Sequence, residues 1–194
     1  MTPRTDPPPW AAMAVIVLLA LAGGGAGLWA GHVWLGGRGS SAPSEPGAAP
    51  ALSRADLDGT QRHLDDYRGE VVLINFWATW CRPCVEELPL LQTLHDGRAE
   101  HGVHVLTIAQ EDDADLVRGF LQRYEIDLPV WLDPPSRGEG SRPFGNSQQV
   151  LPFSILVGPD GQVLQRRAGK FSEAELTRWR EIGEASRTRE TERS

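Results

Sequence analysis

The chain has 194 residues, 40% of them hydrophobic and 23% charged, which is room for one ordinary globular domain and a short accessory segment. Its formal net charge of -7 argues against a nucleic-acid binder, since neutralising phosphates needs a clustered surplus of Lys and Arg. Only two cysteines occur, three positions apart, so they cannot staple distant parts of a fold. His63, His95, His101 and His104 supply no zinc-ligand pattern beside them, and no metal is expected.

Residues 1–9 read as a short N-terminal tail. From Trp10 to Leu35 there is no Asp, Glu, Lys or Arg, a length that suits one membrane-spanning helix, which needs roughly 20 apolar residues. Trp10 at one end and Trp29 and Trp34 near the other fit an interfacial aromatic belt. The competing reading is a cleaved signal peptide with Ala20-Leu21-Ala22 as its small-residue cleavage site. Either reading exports the remainder. Residues 36–51, rich in Gly, Ser, Ala and Pro, are expected to be a flexible linker to a domain over 52–185.

Within that domain, Leu52 to Glu70 carries turn signals and suggests an extended N-terminal region. Val71 to Ala78 is an apolar, β-branched and aromatic run of strand length, interrupted only by Asn75, as expected for a strand buried on both faces. It leads directly into Cys81-Arg82-Pro83-Cys84. Pro83 suits the first turn of a helix, and Val85, Leu88, Leu91 and Leu94 carry an imperfect helical period to about Arg98. Val103–Ala109 is a second core strand, Asp113–Tyr124 a helix with Leu116, Phe120 and Leu121 inward, and Val130–Leu132 a short strand. The stretch 134–149 is a loop. Phe153–Val157 and Val163–Arg167 flank Gly158-Pro159-Asp160-Gly161, a hairpin signal, and Ser172 with Glu175 forms a capping box for a last helix. Residues 186–194 are polar and without apolar anchors, and disorder is expected there. His101 and His104 read as surface or strand-edge residues. The fold class is α/β, a mixed central sheet with helices on both faces.

The chemistry lies in the dithiol. A cysteine at the junction of a buried strand and a helix sits where unpaired amides and the helix dipole stabilise a thiolate, so Cys81 is the expected nucleophile. Cys84, one turn deeper, is the expected resolving thiol, and exchange runs through a mixed disulfide. Arg82 adds a positive charge beside Cys81, which favours the thiolate and raises the redox potential. Glu87, three residues after Cys84, could accept or deliver the Cys84 proton; the alternative is a solvated acid favouring the helix dipole. Glu86 reads as a surface charge. Trp80 is expected to cap the exposed face of the site, with Trp77 in the core.

The segment Asn75-Phe76-Trp77-Ala78-Thr79-Trp80-Cys81-Arg82-Pro83-Cys84-Val85-Glu86-Glu87-Leu88-Pro89 resembles the active-site segment of the TlpA/ResA-like thioredoxin family. The resemblance runs from about Leu52 to Ala185. It implies a thioredoxin-like fold and extracytoplasmic thiol-disulfide exchange, commonly reduction of exported clients with Cys pairs, for example in cytochrome c maturation. It also implies a membrane thiol-disulfide electron donor and no cofactor beyond the Cys81–Cys84 redox couple. Where thioredoxin carries a buried Asp before Phe-Trp-Ala this chain has Asn75, and the family's acid after the cysteines matches Glu87. Pro152 matches the family's cis-proline, whose preceding residue, Leu151, would offer its backbone to an extended client strand. Phe153 stands where the family often has small hydroxyl residues. The competing functions are a net oxidant or isomerase of the same fold and a non-catalytic binding module.

Overall fold

The computed structural model describes residues 47–137 and 140–192. The predicted tail 1–9, the predicted span 10–35 and most of the predicted linker lie outside these residues. Among the described residues no helix is long and apolar enough to cross a membrane.

The centre of the sheet is β3 (Val71–Trp77), whose seven side chains are all buried. It pairs in parallel with β4 (Val103–Ala109), which pairs in parallel with β5 (Val130–Leu132). On its other side β3 pairs antiparallel with β6 (Phe153–Val157), and β6 with β7 (Val163–Ala168). The five strands lie in the order β5-β4-β3-β6-β7. A separate two-stranded ribbon, β1 (Ser53–Ala55) and β2 (Gln61–His63), precedes them and bridges to the β5 edge through Asp56 and Trp131.

Helices α1 (Arg82–Asp96), α3 (Ala114–Arg123) and α4 (Glu173–Thr191), with the short α2 (Arg98–His101), complete the fold. The expectation of helices on both faces is met only in part: the α-helices lie on one face, and the other carries only short 3-10 turns. Leu88 and Leu91 of α1, Val117 and Leu121 of α3, and Leu176 and Trp179 of α4 all pack in one cluster with Val71, Leu73 and Trp77. The opposite face, with Val72, Ile74 and Phe76, is covered by Leu52 and by Leu64 and Phe144 from two short 3-10 turns, Leu64–Tyr67 and Arg142–Phe144. Strand order is the reason: β3 to β4 and β4 to β5 step the same way along the sheet, and right-handed crossovers then put both connecting helices on the same side.

Three more expectations are corrected. In α3 it is Val117, not Leu116, that turns inward with Leu121, and Leu116 is exposed. His101 is buried, its Nδ1 accepting from the Val103 amide at 3.1 Å, and only His104, with Nε2 3.2 Å from Glu70 Oε2, lies at the margin. The polar segment after Ala185 stays helical through Thr191, where side chains bond carbonyls one turn back: Thr188 to Glu184, Arg189 to Ala185 and Thr191 to Arg187. The end of the predicted linker is also docked, since the Val163 amide donates to Gly47 and the Ala49 amide to Gly161.

Candidate active site

Strand β3 ends at Trp77, and Ala78-Thr79-Trp80 turns the chain into α1. The Cys81 amide donates to the Ala78 carbonyl at 3.1 Å, and the Thr79 amide to Glu111 Oε1 at 2.8 Å. Glu111 follows the C-terminal end of β4, next to β3, and clamps the turn. Cys81 is the N-cap of α1, so its sulfur sits where the first-turn amides have no intrahelical partner. Pro83 lies in that first turn and spares one of those amides.

Cys81 and Cys84 are joined as a disulfide with Cα atoms 5.3 Å apart. Cys81 keeps 5% of its surface exposed and Cys84 none. Of the two, Cys81 alone offers surface to an incoming molecule. Trp80 stands 73% exposed beside it, while Trp77 is fully buried, as expected.

Glu87 is not a solvated acid. It is fully buried one turn beyond Cys84, accepting from the Asn75 side-chain amide at 2.7 Å and from the Phe171 backbone amide at 2.9 Å. Burial pushes its carboxyl up to about 7, against the opposing pull of those two donors. A group near neutrality inside the protein is suited to moving a proton at physiological pH.

Glu86 is an exposed surface charge, as expected, and it pairs with two cations. Arg82 extends into solvent and pairs with Glu86 at 3.1 Å, so its charge is shared rather than aimed at Cys81. Glu86 also binds Lys170 Nζ at 2.8 Å, and Lys170, then Arg82, hold its carboxyl below the usual range. Adjacent acids thus tie α1 to the Lys170-Phe171 segment, one at the surface and one inside.

The Leu151–Pro152 peptide bond is cis. Leu151 packs against the cluster that contains both cysteines, and the Pro152 carbonyl accepts from the Gly169 amide at 2.8 Å. The loop before it is built on the buried Asn146, whose side chain donates to Ser141 Oγ at 2.7 Å and to the Val150 carbonyl at 2.8 Å. It also accepts from the Val150 amide at 3.0 Å.

Sequence reasoning missed Glu111, Asn146, Phe171 and Ser154. Ser154 lies in register with Asn75 and its Oγ accepts from the Asn75 amide at 2.9 Å. A serine inside an otherwise apolar strand was the available signal for it. Nothing in the sequence marks Phe171, which contributes only a backbone amide. Among the described residues no three His, Cys, Asp or Glu side chains converge as a metal site.

The Redoxin family model matches residues 42–179. The chain belongs to the Redoxin family, in its TlpA/ResA-like thioredoxin branch. It is 33% identical over 128 residues to the thiol-disulfide oxidoreductase ResA of Bacillus thuringiensis subsp. konkukian (strain 97-27), covering 66% of this chain and 72% of that one. A thioredoxin-family thiol:disulfide interchange protein from Chlorobium tepidum TLS superposes with a TM-score of 0.61 at 26% identity, covering 74% of this chain and 99% of that one. DsbF of MTB, solved in mixed oxidised and reduced forms, superposes with a TM-score of 0.58 at 27% identity, covering 67% and 92%. The sheet and helices are thus a thioredoxin-like α/β fold, and this family member is a thiol-disulfide oxidoreductase acting on cysteine-containing substrates.

Proposed function

We propose that this protein reduces disulfides of exported client proteins, for example in cytochrome c maturation, from a domain tethered outside the cytoplasm by the apolar segment 10–35. The observation that carries the chemistry is the gradient of burial along one helix face: Cys81 touches solvent, Cys84 does not, and Glu87 lies buried behind them with its carboxyl near 7.

In the reduced protein the Cys81 thiolate attacks one sulfur of a client disulfide, forming the Cys81–client bond and releasing the other client sulfur as a thiolate. Glu87 takes the proton of the Cys84 thiol. The Cys84 sulfur then attacks Cys81 Sγ, forming Cys81–Cys84 and releasing the second client thiolate. Two electrons have passed to the client, which takes two protons as its thiolates neutralise. A membrane thiol-disulfide donor would return the domain to the dithiol. The Leu151 backbone, presented by the cis bond, offers edge pairing to an extended client segment.

The test is capture. Cys84→Ser should accumulate a mixed disulfide with the exported client, and Cys81→Ser should not. Equilibration with glutathione then reads the direction, and a strongly oxidising couple would overturn the reductase assignment in favour of a net oxidant or isomerase.

A further inference from the structure

Glu87 meets a polar row that crosses three strands. Asn75 of β3 is in register with Ser154 of β6, and Ser154 with Arg167 of β7, so the three side chains emerge on one face of the sheet, the face that α1 covers. Asn75 and Ser154 serve one side of the carboxylate: the Asn75 side-chain amide donates to Glu87 Oε1 at 2.7 Å and to Ser154 Oγ at 2.9 Å. Arg167 reaches the other side through a peptide group.

Arg167 Nη2 donates to the Lys170 carbonyl at 2.7 Å, and the Phe171 amide donates to Glu87 Oε2 at 2.9 Å. That carbonyl and that amide belong to one planar peptide unit, with oxygen and N–H at opposite ends. A cation therefore sits on the negative end of the peptide dipole and a carboxylate on the positive end. Each hydrogen bond polarises the unit in the sense that strengthens the other. The guanidinium is fixed by two further contacts, a pairing of Nη1 with Glu175 Oε1 on α4 and a position 5.4 Å from the centre of the Phe171 ring. Its Nε is buried without a partner, so this placement carries a desolvation cost.

The charges around the acid agree. Arg167 opposes the effect of burial on Glu87 more than Lys170 does, and Lys170 turns outward to Glu86 at 2.8 Å. The remaining titratable groups nearby are Cys81, Cys84 and Glu86 on its own helix and Glu175, which is paired with Arg167. Strands β3 and β6 contribute Asn75 and Ser154, which do not titrate.

We propose that Arg167 is a positioning residue for the exchange reaction: through the Lys170–Phe171 peptide unit it holds Glu87 as the carboxylate that receives the Cys84 proton. The proposal rests on the reading that Glu87 serves the dithiol as its base. Arg167 takes no part in the electron transfer and acts by setting the pH at which Glu87 is free to accept a proton.

The test begins with the full chain in its disulfide form, where neither cysteine titrates, and follows the carbon-13 shift of the Glu87 carboxyl against pH. The wild type should titrate at about 7, and Arg167→Met about one pH unit higher, the scale of one lost opposite charge. Arg167→Lys, which keeps a cationic donor for the Lys170 carbonyl, should recover more than half of that shift. Lys170→Met removes a positive charge but leaves the peptide unit bound to Arg167, and should move the midpoint less than half as far. Resolution of the Cys81–glutathione mixed disulfide, timed by rapid quench, should follow: about tenfold slower in Arg167→Met than in the wild type at pH 6, and equal at pH 9. Should Arg167→Met lose its fold by circular dichroism, Arg167→Gln, neutral but still a donor, takes its place with the same direction of shift. An unchanged midpoint in the neutral variants, an equal shift in Lys170→Met, or a rate loss that is the same at every pH overturns the role of Arg167 and leaves Glu87 as the base. Resolution in Glu87→Gln as fast as in the wild type across the range overturns the base reading and this role together.

Discussion

Asn75 and Glu87 are bound to one another in the interior, the amide Nδ2 donating to the carboxylate Oε1 at 2.7 Å while Asn75 Oδ1 is left without a partner. The pair can serve both protonation states of the acid. An ionised Glu87 accepts from the amide as found, and a protonated one could donate to Oδ1 after the amide reverses. An aspartate at position 75 would instead set two carboxylates against each other, and one would be forced to hold a proton.

Glu87 should tilt stability with pH. Its folded value of about 7 lies above the ordinary 4.5, so the native state binds more protons than the unfolded chain between those limits. Stability from this group is therefore full below pH 4.5 and falls as pH rises to 7, by roughly 3 kcal/mol. His95 and His101, held below their ordinary value chiefly by burial, tilt the other way below about pH 6.5. Subtracting the denaturant stability of Glu87→Gln from that of the wild type at each pH isolates the Glu87 contribution. A flat difference between pH 5 and 8 would show that the carboxyl is not buried as described.

The same substitution should slow resolution of the mixed disulfide. Without a base behind Cys84, attack of its sulfur on Cys81 should fall by roughly a hundredfold at pH 7, the scale of general-base assistance. Formation of the mixed disulfide by Cys81 should change much less. Rapid-quench trapping of the two steps with one client disulfide separates them, and equal slowing of both would assign Glu87 a merely structural role.

The parts of this design that were legible in the sequence are those written locally. A run of seven residues, apolar except for Asn75, marks β3, Pro83 between the cysteines marks the helix start, and Ser172 with Glu175 forms the capping box that begins α4. What was not legible depends on pairing. That α1 and α3 share one face follows from strand order, which alternation of strands and helices does not state. The partners of Glu87 come from 12 and 84 residues away, so only its spacing from Cys84 pointed to it. In α3 the apolar stripe is narrow enough that a shift of one residue exchanged Leu116 for Val117.

Trp80 should matter for exchange and hardly at all for folding. It is 73% exposed, so Trp80→Ala should change stability by no more than about 0.5 kcal/mol. Exchange with an unfolded protein disulfide should fall by severalfold or more, because an exposed aromatic beside the sulfur is removed. Comparing rates with a protein disulfide and with glutathione disulfide checks this. An equal loss with both would place the effect on Cys81 itself.

Asn146 should hold the approach to the cis-proline. Its side chain makes three hydrogen bonds, to Ser141 and to both backbone groups of Val150, and it is buried. Asn146→Ala should cost roughly 2 kcal/mol, because the Val150 groups and Ser141 lose their partners. The loop ahead of Leu151 should loosen with it, visible as faster amide hydrogen exchange over 141–150 with β3 unchanged. Uniform acceleration across the domain would mean global destabilisation alone.

Gly183 lets α4 lie close to the sheet. A Cβ there would fall 2.9 Å from Val71 Cγ1 and 2.9 Å from Val103 Cγ2, side chains that are fully buried and have no room to retreat. Alanine gains about 1 kcal/mol of helix propensity over glycine, while overpacking a filled core costs about 1 to 3 kcal/mol, so Gly183→Ala should be net destabilising. Trimming Val71 to Ala makes space for the new methyl, and the double variant should be more stable than the sum of the two single losses. A denaturant-melt double-mutant cycle reads this coupling. Strict additivity would mean that α4 slides outward to relieve the clash, and that the close approach of Gly183 to the two valines is not what holds the helix against β3 and β4.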